Sequence, residues 1–279
     1  MHTGAMDNRA ELREFLRSRR GRLKPADVGL PSSGGLRRVP GLRREELAML
    51  AGVSVDYYVQ FEQGRVRQVS DAVLNAIAGA LQLTKSERTH LWNLAKPAPA
   101  QQEPGGPQHV RAGLRQVLAI LDHIPAYVLG RRLDVLAWSA GAARLIADFP
   151  ALPPEQRNLA RLVFLSDTGR RVWVDWGDKA CDTVDQLRLD AGRHPYDPQL
   201  TDLVRELSEH STDFRRMWAD QNVREKTHGH KRIRHPTAGV IGMDYETFRL
   251  PDDPDQALVV YTTAPGSPDD TILRSLSAR

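Results

Sequence analysis

The chain has 279 residues, of which 41% are hydrophobic and 27% are charged, and these proportions are ordinary for a soluble globular protein. The length predicts roughly two domains of about 150 residues each, and no run approaches the ~18 apolar residues that a membrane-spanning helix needs. The N-terminus lacks the apolar segment of a secretory signal, and Cys181 is the only cysteine. We therefore expect a cytoplasmic protein that does not enter a membrane and whose natural chain starts at Met6.

Positive charge is concentrated in the N-terminal part of the chain. Residues 1–96 contain 16 Lys or Arg against 10 Asp or Glu, whereas residues 97–279 contain 23 against 25. A polyanion such as DNA would bind the basic part. Taken alone, a surplus of this size is also typical of an ordinary solvated surface.

Helical periodicity dominates the chain before residue 97. Apolar side chains recur three and four residues apart near the N-terminus and over residues 45–51 and 73–83, while the stretch 21–41 is too rich in Gly and Pro to be regular. Pro, Gly and Gln then cluster and the periodicity stops. We predict an all-α domain over residues 6–96 and an interdomain linker over residues 97–109.

The remainder, residues 110–279, mixes helix and strand patterns. AYVLGRRLDVLAW has the pattern of two short strands around a Gly130-Arg131 turn. AGVIGMDYETFRL and ALVVYTTAP favour neighbouring antiparallel strands because they are rich in β-branched and alternating apolar residues. Capped helices are predicted to begin at Asp197-Pro198, Ser211 and Ser267-Pro268. The second domain is therefore predicted to be α+β.

Residues 43–64 have the features of a helix-turn-helix. Gly52 can supply the tight turn, Ala48 is small enough to let two helices cross closely, and Ser54 can cap the second helix. Four side chains are predicted to form the core between the two helices: Leu47, Leu50, Tyr58 and Phe61.

That register leaves four side chains on the outward face of the second helix: Val55, Asp56, Tyr57 and Gln60. Gln60 can pair with adenine, Asp56 can accept a hydrogen bond from cytosine, and an apolar contact from Val55 or Tyr57 suits a thymine methyl group. Flanking arginines are predicted to bind phosphate: Arg43, Arg44, Arg65 and Arg67. A glycine-containing turn alone would favour an ordinary helical hairpin, but these features occur together and favour DNA binding.

The residues of this region also resemble a known family. LREFLRSRRGRLKPADVGLPSSGGLRRVPGLRREELAMLAGVSVDYYVQFEQGR is similar to the DNA-binding domain of the MmyB-like transcription regulators, which is of the Xre helix-turn-helix class. Downstream, RRLDVLAWSAGAARLI, DTVDQLRLDAG and HPTAGVIGMDYETFRL are similar to the ligand-binding domain of that family. The resemblance implies an all-α helix-turn-helix domain followed by an α+β PAS-like domain that holds a small hydrophobic ligand, with fatty acid as the associated class. The family commonly has Trp-Asn where this chain has Trp138-Ser139.

From these observations we expect a ligand-responsive transcription factor that binds an inverted-repeat operator in double-stranded DNA as a homodimer. We expect no cofactor and no catalysis. Trp138 and Trp218 are predicted to form pocket wall, although such tryptophans more often belong to the core. Arg161 and His235 are the candidates for binding an acidic head group, although such arginines more often lie on the surface.

Two other interpretations stay open at this point. In the first, the protein is a metal-dependent enzyme whose zinc would be held by His228, His230, His235 and Asp244. That spacing permits a site without requiring one, and an exposed loop or strand fits the surrounding basic residues better, so we predict no metal. In the second, the helical domain mediates protein contacts. No P-loop, nucleophile elbow or dinucleotide-binding glycine motif is present in the sequence.

Overall fold

The computed structural model describes residues 8–31, 41–66, 68–96 and 108–277, so most of the predicted linker lies outside the described residues. The chain divides into two compact units. The first, called here the helical unit, comprises Met1–Gly105, Arg188–Asp202 and Trp218–Arg224. The second, called the mixed unit, comprises Gly106–Leu187, Leu203–Met217 and Glu225–Arg279.

The N-terminal part of the helical unit is helical, as predicted. Its described residues form α1 (Asn8–Arg22), α2 (Arg44–Leu50), α3 (Val55–Glu62), α4 (Asp71–Ala80) and α5 (Lys85–Ala95). The hydroxyl groups of Ser54, Ser70 and Thr84 cap α3, α4 and α5. Each hydroxyl accepts the backbone N–H of the residue three positions later in the chain. A short 3-10 helix, Pro25–Val28, lies in the Gly- and Pro-rich stretch.

The core of the helical unit confirms the prediction for Tyr58 and Phe61, which are both buried. It contradicts the prediction for Leu50, which is 36% exposed. In α2 the buried positions are Leu47 and Ala48, and Ala51 follows directly after the helix. Leu50 falls to the side of the face that these three share, so the buried face of α2 carries one leucine and two alanines.

The mixed unit combines a sheet with helices, as predicted. Helices wholly within it are α6 (Ala112–Ile120), α7 (Ala140–Leu145), α8 (Leu159–Phe164), α9 (Asp167–Val172) and α13 (Pro268–Ser277). Three further helices contain residues of both units: α10 (Trp176–Arg193), α11 (Pro198–His210) and α12 (Thr212–Ala219). No helix within the described residues is long and apolar enough to cross a membrane.

The sheet has five antiparallel strands in the order β2-β1-β5-β4-β3. The strands are β1 (Ala126–Leu129), β2 (Val135–Trp138), β3 (His228–His235), β4 (Gly239–Arg249) and β5 (Ala257–Thr262). The predicted pair around Gly130-Arg131 and the neighbouring pair β4 and β5 are confirmed. One face packs against α6 through Leu114 and Leu118. The other face carries buried tyrosines of β1, β4 and β5 together with Lys231 of β3.

Candidate DNA-binding surface and ligand-binding domain

The turn between α2 and α3 has the geometry that its sequence predicts. Gly52 adopts a φ of +65°, a left-handed conformation that favours glycine, and no atom lies within 4 Å of the position where a Cβ would stand. Ser54 follows in an extended conformation and its hydroxyl accepts the Tyr57 N–H at 3.2 Å. The first turn of α3 therefore starts at a defined position.

The predicted base-reading side chains lie at this end of α3. Val55 is 38% exposed, Asp56 and Gln60 are exposed, and Tyr57 is half-buried against the edge of the core. Since Tyr58 and Phe61 point into the core, the helix has one buried face and one open face, and the open face carries the hydrogen-bonding groups.

A buried carboxylate that the sequence analysis missed holds the other end of α3. Glu62 is 0% exposed and accepts hydrogen bonds from Arg20 Nε at 2.8 Å and Tyr58 Oη at 3.3 Å. It also pairs with Arg44 Nε. Burial, followed by the charge of Glu62, raises the pKa of Tyr58, so its hydroxyl stays protonated and donates. The position of Glu62, four residues after the buried Tyr58, was the available signal, because residues four apart share a helix face.

The predicted phosphate-binding arginines differ in their surroundings. Arg44 is tied to Glu62, yet its side chain remains 43% exposed. Arg43 and Arg65 are exposed, and no carboxylate in the described part of the chain pairs with either guanidinium. Arg67 lies outside the described residues. Arg43 and Arg65 are thus two exposed cations without a carboxylate partner in the described part of the chain.

The predicted ligand contacts of the mixed unit have different neighbours. Trp138 is half-buried, its ring centroid lies 5.3 Å from that of Phe149, and it lines an open groove of about 470 Å³ between α6 and β2. Arg161 forms a forked ion pair with Glu206, with nitrogen to oxygen distances of 2.7 and 3.0 Å. The Arg161 guanidinium therefore already has an anionic partner within the fold.

His235 closes the turn between β3 and β4. Its Nδ1 accepts the backbone N–H groups of Thr237 at 3.3 Å and Ala238 at 3.2 Å. His230 pairs with Asp244 at 2.9 Å. Within the described residues, no three His, Cys, Asp or Glu side chains are grouped as metal ligands would be.

Comparison with known families connects these two regions. A model of a helix-turn-helix domain matches residues 11–91, and the model of the MmyB-like transcription regulator ligand binding domain matches residues 110–276, more than half of the chain. The chain belongs to the MmyB-like transcription regulators. A search of curated proteins finds no match. As a member of this family, the chain joins a helix-turn-helix domain to a ligand-binding domain, and the predicted order of an all-helical region before an α+β region is confirmed.

The serine that follows Trp138 in this MmyB-like domain has a structural role. Ser139 is buried; its hydroxyl caps α7 by accepting the Ala142 N–H at 3.1 Å and donates to the Ile124 carbonyl at 2.6 Å. It also accepts the Ala126 N–H at 2.9 Å. The Ser139 side chain therefore fixes the junction of β1, β2 and α7.

Two segments of the MmyB-like domain pack in the helical unit. Leu189 and Val223 belong to the same apolar core as the helix-turn-helix. Arg188 is completely buried. Its guanidinium donates to the Glu11 carboxylate at 2.9 Å and to the Gln221 side-chain oxygen at 2.7 Å. The predicted pocket residue Trp218 is also here, with its ring centroid 3.9 Å from the Arg188 guanidinium carbon.

Further contacts of the same segments are made by arginines of α1. Arg22 donates to the Asp220 carbonyl at 2.7 Å and to the Asn222 side-chain oxygen at 2.9 Å. Arg19 donates to the Gln221 carbonyl and forms an ion pair with Glu87 of α5 at 2.9 Å. Polar contacts therefore run from α1 of the DNA-binding domain to a turn that the family match assigns to the ligand-binding domain.

A buried histidine lies beside these contacts. His90 is 1% exposed, its ring meets the edge of Phe15 with centroids 5.0 Å apart, and a Cβ on Gly192 would stand 2.7 Å from its Nδ1. Neither ring nitrogen has a hydrogen-bond partner within the described residues. Burial, and then the charges of Arg188 and Arg19, lower the pKa of His90 to about 3, so the ring is neutral at pH 7.

Proposed function

We propose that this MmyB-like regulator binds a specific inverted-repeat operator as a homodimer in the cytoplasm, and that its DNA affinity depends on a small hydrophobic ligand with an acidic head group. Fatty acids are the class that the family resemblance supports. We further propose that residues 6–96 read the DNA, that residues 97–109 link the domains, that a PAS-like domain over residues 110–279 senses the ligand, and that neither domain catalyses a reaction.

The observation that carries the DNA-binding proposal is the open N-terminal face of α3. Ser54 fixes the start of the helix and Glu62 fixes its end, while Val55, Asp56 and Gln60 remain free to reach base edges. A rigid helix whose exposed groups match the donor and acceptor pattern of bases is what major-groove recognition needs. Tyr57 is proposed to add an apolar contact, and Arg43, Arg44, Arg65 and Arg67 to bind phosphate.

For the ligand, the four sequence-derived candidates stay as proposals with different support. The groove beside Trp138 has a volume within the range of about 300–1,000 Å³ that is usual for small-molecule sites. Arg161 and His235 already have partners in the fold, so either would have to exchange a contact to meet an acid. Trp218 lies in the helical unit, where its ring covers the Arg188 guanidinium, and it stays a proposed pocket-wall residue.

Selection of a preferred operator with the purified full chain tests the DNA proposal, followed by titration of wild type and variants. Gln60→Ala is expected to cost about 1–3 kcal/mol on the preferred site and to relax base choice there, with little change on random DNA. Gln116→Ala, at an exposed position of α6 in the mixed unit, is the matched control. Equal loss on selected and random DNA would remove Gln60 from the base-reading set.

A phosphate contact has a different signature from a base contact. Arg65→Ala is expected to weaken binding to all sequences alike and to reduce the slope of log affinity against log salt by about one unit. Arg144→Ala, at an exposed position of α7, should leave the slope unchanged. The protein-contact interpretation would instead be favoured if the protein did not bind DNA, or if the DNA affinity of every variant did not depend on salt.

A further inference from the structure

The interior of the mixed unit contains an unusual lysine on α10. Lys179 is only 8% exposed, and its ammonium lies 5.3 Å from the ring centroid of Trp173. No carboxylate in the described part of the chain forms an ion pair with it. A buried ammonium is costly unless an anion or several hydrogen-bond acceptors surround it.

The tryptophan that the Lys179 ammonium faces carries a buried donor of its own. The Trp173 side chain is 1% exposed, and its indole Nε1 has no hydrogen-bond acceptor within the described residues. The Trp173 backbone pairs with Ile233 of β3, and the next N–H, of Val174, donates to the Arg232 carbonyl at 3.0 Å. The indole is therefore held against the sheet by main-chain bonds, so its orphaned N–H is a fixed feature of the interior.

The carboxylate whose charge acts on Lys179 already has two partners of its own. Asp182 pairs with Lys231 Nζ at 2.7 Å and with Lys226 Nζ at 2.6 Å. Lys231 is itself buried and points from β3 to the same face of the sheet as Tyr245. Burial first, and then the charge of Lys231, lower the pKa of Lys179 to about 8, while Asp182 opposes the shift. Three ammonium groups thus compete for one carboxylate.

The remaining groups at this face are apolar or hydroxyl-bearing. Tyr127 and Tyr261 share a hydrogen bond of 3.2 Å between their hydroxyls, and the rings of Tyr261 and Tyr245 lie 5.9 Å apart. Burial raises the pKa of each of these tyrosines, so they are neutral donors at pH 7. An apolar surface with hydroxyl groups and a buried ammonium that forms no ion pair within the described residues suits a molecule that is mostly hydrocarbon with a single negative end.

From this juxtaposition we propose that the Lys179 ammonium and the Trp173 indole N–H form a binding site for the carboxylate head group of the ligand of this domain. The carboxylate would accept from the Lys179 ammonium and from the Trp173 N–H. The inference rests on the proposed ligand-sensing function and names the residues that would select an acid over a neutral lipid.

The test compares an acid with its uncharged analogue. Tetradecanoate and its methyl ester, both below their aggregation limits, are titrated into the full chain by calorimetry. Wild type is expected to bind the acid roughly 10- to 100-fold more tightly than the ester. Lys179→Met should abolish this preference, whereas Lys179→Arg should restore most of it. Lys85→Met, at an exposed position of α5, should behave as wild type.

The outcomes separate the two proposals. Equal binding of acid and ester by wild type, or an acid preference that survives in Lys179→Met, overturns the anion site while the sensing function stands. If neither lipid binds, the fatty-acid part of the proposed function fails. The anion site is then decided by the indole N–H resonance of Trp173, assigned with Trp173→Phe, during titration with butanoate. A shift that disappears in Lys179→Met supports the site, and an unmoved resonance overturns it.

Discussion

Glu62 connects α3 to α1 and α2 through a buried carboxylate. It is fully buried and accepts from Arg20, Arg44 and Tyr58, which belong to α1, α2 and α3. An unpaired carboxylate in this position would be strongly unfavourable, so the three donors and the acceptor stabilise one another. Arg44 therefore orients α3 in addition to its proposed phosphate contact.

Glu62→Gln keeps the shape of the side chain and removes its charge. Two guanidinium groups would then face a neutral amide, and we expect the helical unit to lose about 3 kcal/mol of unfolding free energy. Hydrogen exchange of the α3 amides measures this loss locally, and DNA affinity should fall with it. Glu45→Gln, at an exposed position of α2, serves as the control. Unchanged exchange rates in Glu62→Gln would show that the ion pairs do not hold the helix.

Lys179 is expected to lower the stability of the empty protein. Because burial depresses its pKa from 10.5 to about 8, the unfolded chain binds more protons than the folded chain between those pH values. Stability therefore falls as the pH is lowered from about 10.5 to about 8, and the full penalty, about 3 kcal/mol at most, persists below that. Chemical denaturation should show Lys179→Met to be more stable than wild type at pH 7, with a smaller difference near pH 10. If Lys179→Met were less stable than wild type at pH 7, the proposed cost of burying the Lys179 ammonium would be contradicted.

The residues of α3 form a buried group and an exposed group. Tyr58 and Phe61 form core, whereas Val55 is 38% exposed on the open face. Phe61→Ala should cost about 3–5 kcal/mol and unfold or weaken the helical unit in a thermal scan. Val55→Ala should leave the thermal transition in place and change only the preference for thymine at its contact. If Phe61→Ala lost DNA binding at unchanged stability, the helix would present a different face to DNA.

The sequence predicted those elements whose residues alone determine their structure. Gly52 and Ser54 specify the turn before α3 locally, and the alternation in β4 follows from a strand with one buried face. The stretch that forms β3 was ambiguous because His, Lys and Arg dominate it, and it is a strand because it pairs with β4. The helix spacing places Glu62 on the buried face of α3, but its partners Arg20 and Arg44 could not be predicted because they are distant in the chain. The burial of Lys179 could not be predicted either, because charged residues are normally exposed.

At the scale of the whole molecule, the packing units do not follow the family boundaries. The ligand-binding domain matches residues 110–276, yet residues 188–202 and 218–224 belong to the helical unit. Leu189 and Val223 extend the core of the helix-turn-helix, and arginines of α1 bind the turn at residues 220–222. The stability of the DNA-binding domain therefore depends on residues outside its own sequence region.

His90 should make this packing sensitive to acid. Its folded pKa of about 3 lies below the ordinary value of 6.5, so the unfolded chain takes up the proton first. The free energy of unfolding therefore has its full value above pH 6.5 and falls by about 1.4 kcal/mol per pH unit as the pH falls toward 3. Denaturation of the full chain at several pH values should show a shallower acid slope for His90→Phe than for wild type. Identical slopes would place the acid sensitivity in other groups.

The contacts of Arg188 join a segment of the ligand-binding domain to α1, and we expect the proposed ligand effect on DNA affinity to depend on them. A ligand changes DNA affinity only if it binds two states of the protein differently, and linkage then requires DNA to change ligand affinity by the same factor.

Glu11→Gln weakens the contact of α1 with Arg188. We expect this variant to retain ligand binding and DNA binding measured separately, while the factor by which tetradecanoate changes operator affinity moves toward one. Arg144→Met, exposed on α7, should keep the wild-type factor. Both titrations are needed, ligand in the presence of operator and operator in the presence of ligand, because equal factors demonstrate linkage. A wild-type factor that persists in Glu11→Gln would show that the effect reaches α3 without the Arg188 contact.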